Sequence, residues 1–303
     1  MTHNEITRGD IVAAVDGSSQ ALDAVRWAAE QAQLEGRPLV LVHVMSSPDP
    51  VPSTLRTVGY DDEYAWTDEP RRASDLILDA ATSVAKATSA TLDVRGCVIP
   101  GTPRKVLPAI SESAHLLVMG ARGRGAVRSR LMGSVSVHVA KTASCPVVVV
   151  RPGSRPGWIK DGVIVAADGT AECRPVMEFA FRQASVHGVP LTAMHCVAEV
   201  AAGVAGARAT EVPDLDEEQH HRLLARSVAG LREEFPDVPV TQEVSRGLVK
   251  DCLAAHPRPW NLVVVGRHPV TGLRWLAGST ATDVMERWEG ALAVIPESEP
   301  AAR

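Results

Sequence analysis

The sequence lacks the patterns that would mark a membrane protein or a metal-binding protein. Among its 303 residues no stretch approaches the roughly 18 apolar residues of a membrane-spanning helix, and segment 1–10 has no apolar signal-peptide core. None of its five cysteines forms a C-x-x-C pair or a Cys/His cluster with metal spacing. We therefore expect a cytoplasmic protein with reduced, mostly buried thiols and no zinc site.

The familiar motifs of nucleotide hydrolysis and nucleotidyl transfer are absent as well. The sequence contains no G-x-x-x-x-G-K-[ST] loop, no H-I-G-H and no S-G-G-x-D-S. A net charge of −5 disfavours nucleic acid and anionic membranes as general partners. Hydrophobic residues make up 45% of the chain, which is typical of a globular protein, and the length of 303 residues favours two domains.

What the sequence does contain is an internal duplication. Residues 11–44 align with residues 163–196 without a gap, at a constant offset of 152 positions. Further along, the offset falls to 146 and then to 145. Matching residues recur in both copies at these offsets: Asp16 and Asp168, Gly36 and Gly188, His43 and His195, Gly101 and Gly247, Gly120 and Gly266, Gly133 and Gly278.

Each copy alternates short apolar segments with segments of helical periodicity. This alternation predicts an α/β fold in which each copy forms a parallel sheet with helices on both faces. The proline- and glycine-rich segment 151–157 marks the boundary, so we place the domains at 1–152 and 158–297. Segment 46–72 is interpreted as a surface loop or as a lid, with 198–213 as its counterpart, and the next helix is expected over about 73–90.

A glycine-rich loop follows the fourth predicted strand of the first copy. Gly120, Gly123 and Gly133 bring the backbone close to a ligand and permit positive φ. Ser134 is expected to cap the next helix, whose free N–H groups attract anions, or to give its hydroxyl to a phosphate oxygen. Four arginines add positive charge: Arg122, Arg124, Arg128 and Arg130. The loop therefore predicts a phosphate site, with a plain strand-to-helix connection as the alternative.

Asp16 ends the first predicted strand. In an open parallel sheet, ligands bind beyond the carboxyl ends of the strands, where the strand order reverses. Asp16, Val44, Gly101 and Gly120 should therefore converge on one crevice. Asp16 could accept a hydrogen bond from a ligand or face a magnesium ion held by phosphates. The alternative is that Asp16 caps the following helix.

Three motifs resemble those of the universal stress protein family in its tandem-domain form: Val-Asp-Gly-Ser at 15–18, His-Val at 43–44 and Gly-x2-Gly-x9-Gly-Ser at 120–134. The resemblance covers nearly the whole chain. It implies two tandem Rossmann-like domains, each a five-stranded parallel sheet of order 3-2-1-4-5. Since family members with the full glycine motif bind ATP, it also implies ATP as a cofactor, and Mg²⁺ bound to the ATP phosphates is the second expected cofactor, facing Asp16.

The resemblance further implies which residues of the first domain contact ATP. Residues that flank the adenine and the ribose would be Ala14, Val15 and Asp16. The backbone of Val44 would contact the adenine edge, and Gly101 would border the pocket. Residues beside the ribose would be Met119 and Gly120. Residues that hold the phosphates would be Arg122, Gly123, Gly133, Ser134 and Val135.

The second domain departs from the motif, because Pro269 replaces the second glycine and one residue is missing before Gly278. Proline has no N–H, so the loop loses a donor that Arg267 and His268 could partly replace. The second site is therefore expected to be degenerate. The residues assigned to it by resemblance are Ala167, Asp168, Cys196, Gly266, Gly278, Ser279 and Thr280.

The histidines are given structural interpretations. His43 and His195 lie inside predicted strands and are interpreted as hydrogen-bonded core residues. His220 and His221, next to acidic residues, are typical of a solvated helix face.

Three functions remain open. We favour an ATP-binding stress-response regulator that acts through nucleotide-dependent conformation or partner binding. The alternatives are a slow ATPase or nucleotidyl-transfer enzyme and a scaffold with a vestigial pocket. No general base beyond Asp16 is evident, so we expect at most weak ATPase activity. The apolar segments 147–150 and 292–295 predict pairing of the two domains within the chain, and the resemblance implies a homodimer-like arrangement, with further dimerisation open.

Overall fold

A computed structural model describes residues 6–45, 68–123, 132–151, 159, 161–197, 217–256, 261–267, 284, 288 and 290–297. The chain divides into two compact units, Met1–Pro156 and Gly157–Arg303, and both have the α/β architecture that the sequence predicts. The predicted domain limits, 1–152 and 158–297, stay predictions because linker residues 152–158 lie outside the described residues. Segments 46–67 and 198–213 also lie outside them.

The first unit alternates strands and helices along the described chain. Its strands are β1 (Ile11–Val15), β2 (Leu39–Met45), β3 (Val94–Pro100), β4 (Leu116–Gly120) and β5 (Val147–Val150). Its helices are α1 (Ser19–Glu35), α2 (Asp68–Thr88), α3 (Pro103–Ser111) and α4 (Ser134–Thr142). All strand pairs are parallel, in the order β3-β2-β1-β4-β5. The strands β1, β4 and β5 are almost wholly buried and form the core.

The strand order reverses beside β1. This strand pairs with β2 on one side, where Val15 lies opposite His43, and with β4 on the other, where Ala14 lies opposite Met119. The carboxyl ends of all three strands consequently meet at one edge. Ligands of doubly wound sheets bind at this kind of edge.

Local sequence sets the limits of α1. The Ser18 hydroxyl accepts a hydrogen bond from the Ala21 N–H at 3.2 Å, so Ser18 is the N-cap. At the other end, Gly36 takes the left-handed conformation at φ 62°. Gly36 therefore ends the helix. Along the helix, Trp27 is only 2% exposed and anchors α1 to the core.

Helix α2 begins earlier than predicted. It spans Asp68–Thr88, whereas the sequence placed residues up to 72 in a loop and the helix at 73–90. Pro70 favoured the loop interpretation. In the first turn of a helix, however, proline is tolerated because the N–H that it lacks would have no helical partner there.

The second unit repeats the architecture. Its strands are β6 (Val163–Ala166), β7 (Leu191–Val197), β8 (Val240–Arg246), β9 (Leu262–Arg267) and β10 (Ala291–Pro296). Its described helices are α5 (Arg174–His187), α6 (Glu217–Glu234) and α7 (Val249–Ala255). The strands are parallel in the order β8-β7-β6-β9-β10. The copies also share backbone conformation, since Gly17 and Gly169 both have φ 79° and Gly36 and Gly188 both have φ 62°.

The structure offers no candidate for a transmembrane segment within the ranges that it describes. None of the helices there combines the length and the apolar character that crossing a bilayer requires.

We expect Gly230→Ala to raise the unfolding free energy of the second unit by about 0.5–1 kcal/mol, as removing an exposed helical glycine does. Gly230 lies on α6, and a Cβ there would meet nothing within 4 Å. Urea denaturation followed by circular dichroism measures the change. Gly188→Ala is the matched control, because its Cβ also meets nothing but its φ of +62° makes alanine destabilising. A less stable Gly230→Ala protein would contradict the prediction.

Candidate functional site

The end of β1 meets the glycine loop that follows β4. Gly123 lies so close to Asp16 that a Cβ on this glycine would overlap the carboxylate oxygen Oδ2. The Ser18 hydroxyl also donates a long hydrogen bond, at 3.5 Å, to the Arg122 carbonyl. The structure therefore brings Asp16, Ser18, Arg122 and Gly123 together at the edge where the strand order reverses.

Asp16 has a structural role in addition to its position at this edge. Its Oδ1 accepts the Ser18 N–H at 3.0 Å and shapes the turn into α1. Ser18, rather than Asp16, is the N-cap of α1. Asp16 is half-buried, and its second oxygen faces Gly123. The carboxylate therefore supports the turn with one oxygen and faces the glycine loop with the other.

The glycines of the loop are required for space. None of the three adopts positive φ, so the sequence prediction on this point was wrong, and Gly133 has φ −68°. A Cβ on Gly120 would lie 2.9 Å from the carbonyl carbon and oxygen of Gln20. A Cβ on Gly133 would lie 3.2 Å from the Ala121 carbonyl oxygen. Close approach of backbone to backbone therefore selects glycine here.

Helix α4 points its amino-terminal end at the same place. Gly133 is its N-cap and Ser134 its first residue, so the prediction that Ser134 caps the helix was wrong. The Gly133 N–H donates to the Ala121 carbonyl at 2.8 Å and is thus turned into the protein. The N–H groups of Ser134 and Val135 belong to the first turn, where no intrahelical acceptor exists. These two amides and the exposed Ser134 hydroxyl are suitable anion donors.

Ser136 is a residue that the sequence analysis missed. It is buried, and its hydroxyl donates to the Gly120 carbonyl at 3.0 Å and lies 3.2 Å from the Ala121 carbonyl. Ser136 thus fixes the start of α4 against the end of β4. A serine inside a short helical pattern gives no signal of such a contact.

The remaining residues predicted for the first site occupy the same sheet edge. Val15 and Met119 are buried at the ends of β1 and β4, and Val44 is 9% exposed near the end of β2. Gly101, at φ 138°, donates its N–H to the Met45 carbonyl at 3.0 Å. Ala14 pairs with Met119. Arg124, Arg128 and Arg130 lie outside the described residues.

The corresponding edge of the second unit has different chemistry. Ala167, Asp168, Cys196 and Gly266 lie at the ends of β6, β7 and β9, as the duplication predicts. Asp168 Oδ1 accepts the N–H of Thr170 at 2.9 Å and its hydroxyl at 2.7 Å. Predicted residues that lie outside the described part are His268, Pro269, Gly278, Ser279 and Thr280.

A carboxylate of the protein lies over Gly266 in the second unit. A Cβ on Gly266 would overlap Glu297, the residue that follows β10. Arg267, predicted to compensate for the degenerate loop, interacts electrostatically with Glu297. Burial, with the charges of Asp168 and Glu297, raises the pKa of the neighbouring Cys173 thiol to about 12. Two carboxylates, Asp168 and Glu297, thus lie at this edge with Arg267 beside Glu297, and the Glu297 side chain fills the space over Gly266.

The histidine interpretations are partly confirmed. His43 Nδ1 lies 2.7 Å from the Val15 carbonyl, and His195 Nδ1 lies 2.9 Å from the Ala167 carbonyl, so both are hydrogen-bonded to the neighbouring strand. His220, by contrast, is half-buried, with its Nδ1 3.0 Å from His195 Nε2. The prediction of a solvated face was wrong for His220 and holds for exposed His221.

No group of three or more His, Cys, Asp or Glu residues in the described part of the chain is arranged to hold a metal ion. Asp16 is the carboxylate that lies at the edge of the first unit, beside the loop.

An open parallel sheet, with a glycine loop and a helix amino terminus at its point of reversal, defines the class of doubly wound α/β proteins. Within this class, the chain belongs to the universal stress protein family. The model of the universal stress protein family matches twice, at residues 7–151 and 161–296. The tandem form implied by the motifs is therefore confirmed, and the protein is a stress protein of this family.

Curated relatives and solved structures agree with this assignment. Universal stress protein Rv2005c of Mycobacterium tuberculosis is 31% identical over 295 residues, covering 91% of this chain and 92% of the relative. Universal stress protein Rv2623 of the same organism is 31% identical over 264 residues, covering 84% and 85%. The crystal structure of a universal stress protein from Archaeoglobus fulgidus has a TM-score of 0.67 at 17% identity, covers 97% of this chain and 98% of that chain, and supports the fold.

Proposed function

We propose that the first unit binds ATP at the edge formed by β1, β2 and β4, and that the protein acts as a nucleotide-dependent regulator in the stress response. The observation that carries this proposal is the meeting of Asp16 with Gly123 beside the start of α4. The Asp16 carboxylate and the first-turn N–H groups of α4 thus lie on either side of the glycine loop.

The donors match a triphosphate. The first-turn amides of Ser134 and Val135, the Ser134 hydroxyl and the Arg122 guanidinium are positive or donor groups, and phosphate oxygens accept from such groups. The Gly133 amide is already bonded to Ala121, so we assign Gly133 the role of allowing the start of α4 to lie close to the loop. Glycine at 120 and 123 likewise allows close approach at the other side of the loop.

The acceptors match the other parts of the ligand. The Val44 backbone at the end of β2 is assigned to the adenine edge, with Ala14, Val15 and Met119 beside the nucleoside and Gly101 at the border. Asp16 is assigned either to a ribose hydroxyl or to Mg²⁺. A magnesium ion would take its remaining ligands from phosphate oxygens and water, since this cation usually keeps several waters. When bound, it would offset the repulsion between Asp16 and the phosphates.

Binding without efficient turnover fits these residues best. Phosphoryl transfer needs a positioned base or nucleophile next to the terminal phosphate. Asp16 is already engaged by the Ser18 N–H, and the histidines on the neighbouring strands are bonded to backbone carbonyls. We therefore assign ATP the role of a ligand that stabilises one conformation, which a partner then recognises.

We further propose that the nucleotide stoichiometry is one per chain. The Glu297 side chain fills the space over Gly266, so a nucleotide at the edge of the second unit would have to displace this carboxylate. The second site assigned by resemblance is thus a structural remnant in this proposal. Pairing of the two units, a homodimer and a cytoplasmic location stay predictions.

The test begins with the purified full-length protein, which is denatured so that released nucleotide can be identified by chromatography. The nucleotide-free protein is then titrated calorimetrically with ATP and Mg²⁺, with cAMP as a competitor, and incubated to measure turnover. Retained ATP at one per chain with negligible hydrolysis supports the proposal. Several turnovers per minute would instead identify an enzyme, and absence of any nucleotide affinity would identify a scaffold. Either outcome overturns the proposal.

A further inference from the structure

Two thiols of the second unit lie side by side. Cys196 is on β7 and Cys252 on α7, and both are half-buried, whereas Cys97, Cys145 and Cys173 are buried. The two side chains are close enough to interact, because the Cys252 thiol is among the causes that raise the pKa of Cys196. The two residues are 56 positions apart in sequence, so the fold alone brings them together.

The surrounding backbone independently places Cys252 beside the end of β7, which carries Cys196. The Cys252 sulfur lies 3.7 Å from the Arg246 carbonyl oxygen. Arg246 pairs with Val197, the residue next to Cys196, in the β7–β8 register. In addition, Gly247 donates its N–H to the Val197 carbonyl at 2.9 Å, and a Cβ on Gly247 would lie 3.6 Å from the Cys252 sulfur. The end of β7 and the first turns of α7 are thus held together by main-chain contacts.

The first unit has no such pair. The positions that correspond to Cys196 and Cys252 are Val44 and Val106, by the offsets of 152 and 146. Val106 lies against the turn at Gly101, as Cys252 lies against the turn at Gly247. An apolar pair at this place is therefore compatible with the same fold. The thiol pair is an addition in the second unit and is not required by its architecture.

We propose that Cys196 and Cys252 form a reversible disulfide when the protein meets hydrogen peroxide, so that the second unit carries a redox-sensitive modification site. Disulfides in reducing compartments are usually transient and serve redox sensing. The inference does not rest on ATP binding, since both thiols belong to the unit without the proposed nucleotide.

The chemistry balances in two steps. The Cys252 thiol loses its proton, and the thiolate attacks one oxygen of the peroxide. The O–O bond breaks, and the hydroxide that leaves takes up the proton, which gives a sulfenic acid and one water. The Cys196 thiol then attacks the sulfenic sulfur, which forms the S–S bond and releases a second water. Two thiols are oxidised and one peroxide is reduced to two waters. The disulfide requires the sulfur atoms to approach to about 2.05 Å, which side-chain rotation of a neighbouring pair can supply.

The order of the two thiols follows from their surroundings. Burial, together with the neighbouring Cys252 sulfur, raises the pKa of the Cys196 thiol well above its usual range. Because the thiolate is the form that attacks peroxide, Cys196 reacts slowly at first. Cys252 is therefore the residue oxidised first and Cys196 the residue that resolves the sulfenic acid. Once Cys252 is a neutral sulfenic acid, its charge no longer contributes to the raised pKa of the Cys196 thiol.

The experiment treats the folded, full-length protein with hydrogen peroxide, blocks free thiols with iodoacetamide after unfolding, and maps the peptides by mass spectrometry. We expect a loss of two hydrogen atoms from the intact mass, one linked peptide pair containing Cys196 and Cys252, and complete reversal by dithiothreitol. Of the five thiols, the three outside the disulfide should be alkylated by iodoacetamide. The buried Cys145 and Cys173, whose pKa values burial raises to about 12, are internal controls.

Variants separate the proposal from non-specific oxidation. In the Cys196→Ser variant, the reaction should stop at a Cys252 sulfenic acid, which dimedone traps. In the Cys252→Ser variant, dimedone should label Cys196 about tenfold less. The double variant C196V/C252V copies the first unit and should fold normally without any peroxide-dependent mass loss. Amide exchange in α7 should slow on oxidation of the natural protein only. Free alkylation of both thiols after peroxide, links to other cysteines, or sulfinic acids without a cross-link would overturn the proposal.

Discussion

Gly123→Ala is expected to weaken ATP binding by about 10- to 100-fold, which corresponds to about 1.4–2.7 kcal/mol. The added Cβ would occupy the position of the Asp16 carboxylate oxygen and drive the loop and the carboxylate apart. Gly123 is exposed and its φ is not restricted to glycine, so the unfolding free energy should change by no more than about 0.5 kcal/mol. Calorimetric titration with Mg-ATP and urea denaturation provide the two measurements.

Further variants define the site more sharply. Asp16→Ala alone should also weaken binding, and Gly123→Pro, which in addition removes an N–H, should bind no better than Gly123→Ala. In the Asp16→Ala background, Gly123→Ala should have a smaller effect, because the oxygen with which its Cβ collides is gone. Gly9→Ala is the matched control, since its nearest neighbour would be 3.7 Å away and it lies outside the site. Normal ATP binding by both Asp16→Ala and Gly123→Ala would show that the site is elsewhere.

Glu35→Gln is expected to lower the unfolding free energy of the first unit by up to about 3 kcal/mol at pH 7. Glu35 ends α1 and is 7% exposed in its side chain. It accepts hydrogen bonds from Gln31 at 2.5 Å and from Arg37 at 2.9 Å, and lies 2.9 Å from His115 Nε2. Burial alone would raise the pKa of this carboxyl. The hydrogen bonds and the charge of His115 outweigh burial and lower the pKa to about 2.

The pH dependence of this effect has a defined sign. Because the folded-state pKa of about 2 lies below the ordinary value of 4.5, the ionised carboxylate stabilises the folded protein. This stabilisation is complete above about pH 4.5 and is lost as the pH falls towards 2. The difference between the natural protein and Glu35→Gln should therefore shrink steadily below pH 4.5. Urea titrations at several pH values, with amide exchange in β1 and β4 as the readout for the first unit, measure the difference.

An exposed ion pair of the same helix supplies the control. Asp23 and Arg26 lie 2.6 Å apart with side chains 30% and 40% exposed, so Asp23→Asn should cost at most about 1 kcal/mol. Equal effects of Asp23→Asn and Glu35→Gln, or a Glu35→Gln effect independent of pH, would contradict the assignment. Glu35 has no carboxylate counterpart in the second unit, where the aligned residue is His187.

The sequence was sufficient for the architecture and for the sheet edge at which the candidate residues meet. Apolar segments alternate with helical periodicity because each element must bury one face, and this periodicity located the strands and their carboxyl ends. The duplication then predicted that Asp168, Cys196 and Gly266 would share one edge, as they do. These inferences depend on patterns that repeat locally along the chain.

The contacts within the site were less predictable. The contact of Ser136 with Gly120, the overlap of Glu297 with Gly266 and the pairing of Cys196 with Cys252 each join residues far apart in sequence. Periodicity reports burial relative to neighbours, and it carries no information about which distant side chain fills a given space. The loop glycines show the same limit, since a residue without a Cβ can serve left-handed backbone or close packing, and the sequence does not distinguish these uses.

The glycine turns shared by the two units have a consequence for how such a protein can change. Gly17 and Gly169, like Gly36 and Gly188, have the same φ, although the side chains near them differ. In a chain with a duplicated fold, single substitutions can change the site residues of one copy while the other copy keeps its function. One half can thus respond to a signal to which the other half does not respond, and both halves keep the same fold.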